Sequence, residues 1–381
     1  MIPTVRDVNV AGKRILLRAG LDVPMKDGKV ADDRRIAETV TTVRALLAAG
    51  ASQVIIIAHA GRPEGKRVPE FSLRPVAERL QELLREEVLF LDDCVNAKVP
   101  PTSSVVLLEN LRFHAEEERN DALFARKLAV YGDVYVDDAF NTMHRKHASI
   151  IGLPQLFQEK AMGLLVEKEV RNLDFSNPER PFVAILGAAK ISDKIELVQA
   201  LLEKVDKLLL GGGIVFTFLK AKGYETGRSL CEEEKVALAK ELLEKYPAKI
   251  VLPGDIVISE EPEGADIFTV DADKIPPDMR GLDIGDESVE EFCGILDSAK
   301  TVFWNGPLGM FEVPPFDTAT HRVAEHLAKL RIRVVVGGGD TAAAIDQLGL
   351  GEKFTHVSTG GGASLQVVAG QGLPGLTALS R

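Results

Sequence analysis

Cysteine is scarce. Cys94, Cys231 and Cys293 are the three in 381 residues, far apart and in no CxxC pair. That spacing suggests neither a disulfide framework nor a zinc site, and it suits free thiols in a reducing compartment. Long apolar runs are lacking too. Nothing approaches the ~20 consecutive apolar residues that span a bilayer, and the opening MIPTVRDVNV has no apolar signal core. The expectation is a cytoplasmic protein with no membrane partner. Positive charge is in deficit, with 46 Lys and Arg against 57 Asp and Glu and a formal net charge of −11. That balance argues against a general nucleic-acid binder, although a local cluster of arginines can still hold an anion. The common phosphate fingerprints are missing as well. Neither GxxxxGK[ST] nor a GxGxxG opening a helix after a strand occurs.

The chain exceeds the ~250–300 residues at which single cores stop growing, so two domains are expected. Short apolar runs alternate with helical patterns from end to end. Strand candidates in the first half are Ile15–Leu17, Val54–Ala58, Val105–Leu108 and Val134–Val136, with helical spacing over Asp33–Leu47 and Leu73–Leu84. Asp32 or Asp33 and Ser72 are the expected N-caps. Strand candidates in the second half are Val183–Leu186, Lys207–Leu210, Ile250–Leu252, Val302–Trp304 and Ile332–Val336. Regular strand–helix alternation predicts an α/β protein with doubly wound parallel sheets. An amphipathic helix predicted over Ala161–Leu173, before a polar, proline-bearing turn, marks the boundary. It reads as an interdomain bridge or as an ordinary surface helix.

Glycine punctuates the second half at strand ends: AILGAAKISDK, LLLGGGIVFTF, VFWNGPLGMFE, VVVGGGDTAAA and STGGGAS. Glycine there lets the backbone approach a ligand, and a following helix offers free N–H groups to phosphate. Five such turns point to a nucleotide or polyphosphate pocket. Lys190 and Lys194, four apart, are expected on one helix face, either solvated beside Asp193 or held for an anion. Asp340 is placed to hold a magnesium ion on phosphates or to cap a helix.

The first half carries cations at its strand ends instead: His59 and Arg62, Arg112, and Arg145 with His144 and His147. Arg35 sits in the first turn of a helix, where it opposes the dipole and calls for another explanation, such as an anionic ligand. The pair His144-x-x-His147 lacks matched partners, which argues against zinc. Together the arginines form a plausible cradle for a phosphorylated acid. A nucleotide half and a multi-anion half predict phosphoryl transfer, with closure of the domains excluding water.

Stretches including DGKVADDRRI, VVLLENLRFH, HRKHAS, ERPFVAILGAAKISDKI, WNGPLGMFE, GGGDTAAA and HVSTGGGASL occur in order along the chain. On them the chain resembles the phosphoglycerate kinase family over essentially its whole length. The resemblance implies two Rossmann-like domains joined by a hinge helix, with the C-terminal segment returning to the first. The segments would be 1–160 for the triose, 161–175 for the hinge, 176–366 for the nucleotide and 367–381 packing back. It implies reversible phosphoryl transfer from 1,3-bisphosphoglycerate to Mg-ADP, giving ATP and 3-phosphoglycerate, by a monomer. Asp22, Arg35, His59, Arg62, Arg112 and Arg145 resemble the triose-binding set, with Arg35 also facing the transferring phosphoryl group. Lys190 and Lys194 resemble the phosphate lysines. Asn305 and Glu312 resemble nucleotide contacts, with Gly212, Pro307 and Gly309 beside them. Gly338, Gly339 and Gly361 resemble backbone phosphate donors, and Asp340 and Thr341 the magnesium and phosphate contacts.

The chain also departs from the family's pattern. The family's usual R-V-D-F-N-V-P, whose Asp and Asn hold the triose, is here Arg18-Ala19-Gly20-Leu21-Asp22-Val23-Pro24. Positions two apart in a strand share a face, so one carboxylate remains there, moved by two residues. Either Asp22 takes over the hydroxyl contact, with water filling the space at Gly20, or it opposes the substrate's own charge. Two like charges ~4 Å apart cost ~1–4 kcal/mol. The expectation is retained activity with altered substrate affinity. Asp137, Asn141 and Met143 replace more usual Asn, Gly and Ala, Ala188 replaces a Gly, and Gln366 a frequent Glu. The alternatives are a kinase for a different small phosphorylated acid, or a nucleotide-binding paralogue without turnover.

Overall fold

The computed structural model describes residues 2–264 and 266–380, so the expected domain limits at 1 and 381 lie outside the described residues. The chain divides into two compact units, Met1–Arg171 with Gly372–Arg381, and Asn172–Gln371.

The first unit opens with β1 (Arg14–Ala19) and a short hairpin, β2 (Met25–Lys26) and β3 (Lys29–Val30). There follow β4 (Gln53–Ile57), β5 (Val88–Leu91), β6 (Val105–Leu108), β7 (Val134–Asp138) and β8 (Lys160–Met162). Apart from the hairpin these form one sheet in the order β5-β6-β4-β1-β7-β8, every pair parallel. β4, β6 and β7 are buried at every position. Strands covered on both faces read as continuous apolar runs, which is why the sequence shows them without alternation. Leu17, Val54 and Val136 pack in one core with Ile36, Val43 and Leu80 from the helices Arg34–Ala48 and Arg74–Leu84.

β1 leads to its neighbour β4 on one side. β7, on the other side of β1, leads onward to β8. The carboxyl ends of β1 and β7 therefore flank the point where connections part, which is where open α/β sheets take their ligands. The register Arg18↔Ile57 and Arg18↔Asp137 brings the ends of three strands level.

The second unit repeats the plan with β9 (Phe182–Gly187), β10 (Lys207–Gly211) and β11 (Ile250–Val251). Then come β12 (Asp255–Ser259), β13 (Ile267–Asp271), β14 (Arg280–Ile284), β15 (Thr301–Asn305), β16 (Arg333–Gly337) and β17 (His356–Val357). Six of these form a parallel sheet in the order β11-β10-β9-β15-β16-β17, whose switch point lies between β9 and β15. Val183, Val302, Trp304 and Val336 anchor its core.

Several expectations need correction. β12, β13 and β14 form a separate antiparallel sheet in the order β13-β12-β14, where only parallel strands were anticipated. The helix expected over 161–173 is the helix Leu164–Asn172; Ala161 and Met162 instead extend β8, paired with Val136 and Asp137. Gly163 separates the two, and Asp138 Oδ1 accepts from Leu165 N at 2.8 Å and Val166 N at 3.2 Å, as an acceptor at a helix start should. Lys190 and Lys194 do not share a helix face, because that helix begins at Ile195 and both lysines lie in the turn before it. Asp33 holds an N-cap position, but its carboxylate accepts from Arg79 (2.6 Å) and caps nothing. Leu73, not Ser72, is the N-cap of the next helix, and Ser72 Oγ accepts from Arg74 N at 3.3 Å.

Candidate functional site

At the carboxyl end of β1 the Arg18 side chain is fully buried. Its Nε donates to Ser149 Oγ (3.0 Å), one Nη to Ala19 O (2.5 Å) and the other to His59 Nδ1 (2.9 Å). A guanidinium only donates, so His59 Nδ1 accepts and the ring proton sits on Nε2. That nitrogen lies 3.8 Å from Asp22 Oδ2. Burial, with Arg18 and Arg112 close by, holds the His59 imidazole well below its usual range, so it is neutral. Asp22 Oδ1 accepts from Gly61 N at 2.9 Å, and Arg35 donates to the Asp22 carbonyl. Arg112 donates to Gly61 O at 2.7 Å. Arg145 repels both Arg112 and His59, which places its charge in the same cluster.

Beneath this cluster lies a buried ionic layer. Ser149 donates to Glu117 through N (2.9 Å) and Oγ (2.6 Å), and Tyr135 OH donates to Ser149 O (2.7 Å). Asp137 Oδ1 accepts from Ala139 N at 3.0 Å. Burial raises Glu117 and lifts Asp137 to about 6, against the pull of Arg18. Burial also lowers Arg112 to about 10, and burial with Arg112 lowers His147 to about 3. Arg112 Nε, His144 Nδ1 and His147 Nδ1 are buried without a hydrogen-bond partner. Arg112 Nε lies 3.5 Å from Glu118 Oε1 and His147 Nδ1 3.9 Å from Glu117 Oε1, so the crowded cations are only partly offset and suit a polyanion.

The second unit offers a cavity of 660 Å³ at the carboxyl ends of β9, β10, β15 and β16. Lys194, Gly212, Asn305, Pro307, Gly309, Glu312, Gly338, Gly339, Asp340 and Thr341 line it. Lys194 Nζ donates to Asn305 Oδ1 (2.8 Å), and Asn305 Nδ2 donates to Gly337 O (2.7 Å). Burial lowers the Lys194 ammonium, and Asp340 and Asp193 oppose that shift. Gly338, at φ +95°, is the N-cap of the helix Gly339–Gln347, and Gly213 that of Ile214–Ala221. Two helix starts therefore turn a positive dipole end to the cavity, and the one at Gly339 also offers free N–H groups, whereas Ile214 N already donates to Ala188 O (2.8 Å) and Val215 N to Gly212 O (3.2 Å). Asp340 lies in the first helical turn and is not the cap. Phe216, Leu230, Ile256, Leu282 and Met310 line the same cavity and supply apolar surface that suits a nucleobase.

The expected residues thus fall into two groups, one on each unit. Lys190 is exposed and does not line the cavity, nor does Gly361, which starts the helix Gly362–Val368. Arg62 is exposed, next to Gly61. Reading the sequence overlooked Arg18 as a partner of His59, and it overlooked Glu117, Tyr135 and Ser149. A lone polar residue in a strand or helix carries no signal of which charge it will meet. The apolar cavity wall was also overlooked, since its residues look like ordinary core. The space at Gly20 is not left to water, because Asn141 stands over it. Among the described residues one group of candidate metal ligands occurs, Asp93, Cys94 and His114. Its Asp93 Oδ1 already accepts from Cys94 N (2.7 Å), Val95 N (3.3 Å) and His114 Nε2 (2.8 Å). No helix among the described residues is long and apolar enough to cross a membrane.

Comparison with known proteins agrees with this architecture. A family profile described as Phosphoglycerate kinase matches residues 5–371. The phosphoglycerate kinase of Clostridium novyi is 47% identical, with 99% of this chain and 98% of that protein covered. That of Chloroherpeton thalassium is 48% identical over 99% of this chain and 98% of its own. The solved phosphoglycerate kinase of Coxiella burnetii superposes with a TM-score of 0.92 at 37% identity, covering 100% of this chain and 99% of that one. That of Pyrococcus horikoshii gives 0.85 at 32% identity, covering 99% and 98%. With a profile spanning nearly the whole chain and relatives of equal length, the protein belongs to the phosphoglycerate kinase family.

Proposed function

We propose that the chain transfers a phosphoryl group between ATP and the carboxylate of 3-phosphoglycerate, reversibly, as an enzyme of glycolysis. The observation that carries this reading is the pairing of a buried cation cluster on one unit with a glycine-lined, half-apolar cavity on the other. The first suits a small phosphorylated acid, and the second suits a nucleoside polyphosphate. The acceptor carboxylate is ionised at neutral pH, so no general base is required. Catalysis then rests on positioning and on neutralising charge over the phosphoryl oxygens.

His59, Arg112 and Arg145 would hold the phosphoglycerate, with Arg62 at the rim and Arg35 toward the transferring group. His59 is neutral and donates from Nε2. Lys194, held by Asn305, would meet the terminal phosphate. Gly338, Gly339 and Thr341 present the helix start to the same phosphates, with Lys190 and Gly361 as outer phosphate contacts. Gly212, Pro307, Gly309 and Glu312 would flank the nucleoside. Asp340 is an exposed carboxylate on the cavity wall, and a single carboxylate completed by phosphate oxygens and water suits magnesium. Magnesium bound there would neutralise phosphate charge. The acid and nucleotide sites belong to separate units, and direct transfer requires the two substrates to meet. We place the protein in the cytoplasm as a monomer.

The test is a coupled steady-state assay of the purified protein with Mg-ATP and 3-phosphoglycerate. Saturable turnover is expected. Nucleotide binding with no turnover would overturn the proposal, and faster turnover with another phosphorylated acid would move the substrate assignment.

A further inference from the structure

Two departures from the family's pattern, far apart in sequence, meet in space. Gly20 follows β1, and Asn141 lies in the turn Phe140–Thr142 after β7. These are the two strands that flank the switch point of the first sheet. A Cβ placed on Gly20 would lie 2.9 Å from Asn141 Oδ1 and 3.6 Å from Asn141 Cγ. The Asn141 carboxamide therefore occupies the volume that a side chain at position 20 would enter. Asn141 is half-buried and its side chain hydrogen-bonds to no described residue. Arg18 and Asp22 stand on either side of Gly20, with the Asp22 carboxylate turned toward His59.

We propose that Asn141 is a substrate-contacting residue, whose carboxamide gives the phosphoglycerate the polar contact that Gly20 cannot. The inference rests on the phosphoglycerate reading above. A carboxamide offers two donors and an acceptor oxygen, so it can donate to the substrate carboxylate or accept from its hydroxyl. It is neutral, so it adds no negative charge beside Asp22 and leaves the field of Arg18, Arg112 and Arg145 undiminished. A side chain on Gly20 would collide with Asn141 as long as Asn141 is in place. The polar pair at this crevice is thus kept, with the carboxylate at Asp22 and the amide delivered from the neighbouring strand.

The experiment compares Asn141→Gly, Asn141→Ala, Gly20→Asp and the exchange variant Gly20→Asp/Asn141→Gly in the full chain. Binding of 3-phosphoglycerate is read by calorimetry and KM for each substrate by the coupled assay, with thermal melting as the check on folding. Both Asn141 variants should weaken 3-phosphoglycerate about three- to tenfold, the scale of one hydrogen bond, and leave KM for ATP unchanged. Gly20→Asp alone should bind worse than the exchange variant, which should recover affinity over Asn141→Gly. Three results would overturn the inference: unchanged 3-phosphoglycerate binding in Asn141→Gly and Asn141→Ala, equal weakening of ATP, or no recovery on exchange. A wild-type protein that binds no 3-phosphoglycerate overturns the functional reading and this inference with it. An active wild type with indifferent Asn141 variants overturns this inference alone.

Discussion

At the carboxyl end of the first sheet the ligand-facing groups are side chains. Arg18, neutral His59 and Arg112 are all buried, and Glu117 and Asp137 are buried in the layer beneath them. At the same end of the second sheet they are mostly backbone: glycines at the ends of β9, β10, β15 and β16, two helix starts, and the half-buried Lys194. The two units share one sheet plan, and on the proposed reading they would bind anions by opposite means. A side-chain site is strong and pH-sensitive, and it depends on a compensating layer beneath it, because a buried charge left unpaired is costly. A backbone site does not titrate and needs no counter-ion layer, but it tolerates no added Cβ where φ is positive.

Four substitutions would break or sharpen that contrast. The largest effect is expected for Lys194→Met, which removes a half-buried cation that lines the cavity. Turnover should fall roughly 100- to 1000-fold, the scale of one lost electrostatic contact to the transition state, while calorimetry shows unaltered 3-phosphoglycerate binding. A loss common to both substrates would mean that the lysine is structural.

Next comes Arg18→Met. It strands Glu117 and Asp137 and should cost about 3–5 kcal/mol in urea unfolding. An equally stable variant would show that the buried layer compensates itself.

Gly338→Ala should follow. The position has φ +95°, and its Cβ would lie 2.6 Å from Asn305 Nδ2. With ψ +142° this is a sparsely populated backbone conformation that costs a non-glycine residue roughly 1–3 kcal/mol. KM for ATP should rise while KM for 3-phosphoglycerate stays put, and equal rises would remove the contrast between the units.

The smallest effect is on pH dependence. Asp137, raised to about 6 in the folded protein, contributes stability that is full below its usual 3.8 and lost as pH climbs through 6. His147, lowered to about 3, contributes stability that is full above its usual 6.5 and lost as pH falls toward 3. Between pH 4 and 6 the two slopes oppose each other. In Asp137→Asn the histidine slope stands without that opposition, so the melting temperature should climb more steeply with pH than in the wild type. A parallel or shallower profile would show that Asp137 does not titrate in this window.

Much of this was legible in the sequence for a definite reason. A doubly covered parallel strand must be a continuous apolar run, so Val54–Ala58 and Val302–Trp304 announced themselves, and the glycines that follow marked the strand ends. The helix–strand border near Ala161 was less legible, because a short edge strand and an amphipathic helix start look alike over three residues. β12, β13 and β14 were not legible, since an antiparallel insertion carries no glycine-and-helix signature. The chain alone therefore determined the layered α/β plan and placed Lys194, Arg112 and His59 near strand ends, because each depends on local periodicity or on a motif at a strand end, while Asn305 was singled out only through the family resemblance. Only the tertiary structure decided which charges became partners: Arg18 with Ser149 above Glu117, neutral His59 toward Asp22, and Asn141 over Gly20. These pairs come from different strands and loops. Sheet register and burial bring them together, and neither is written in the spacing of any one segment.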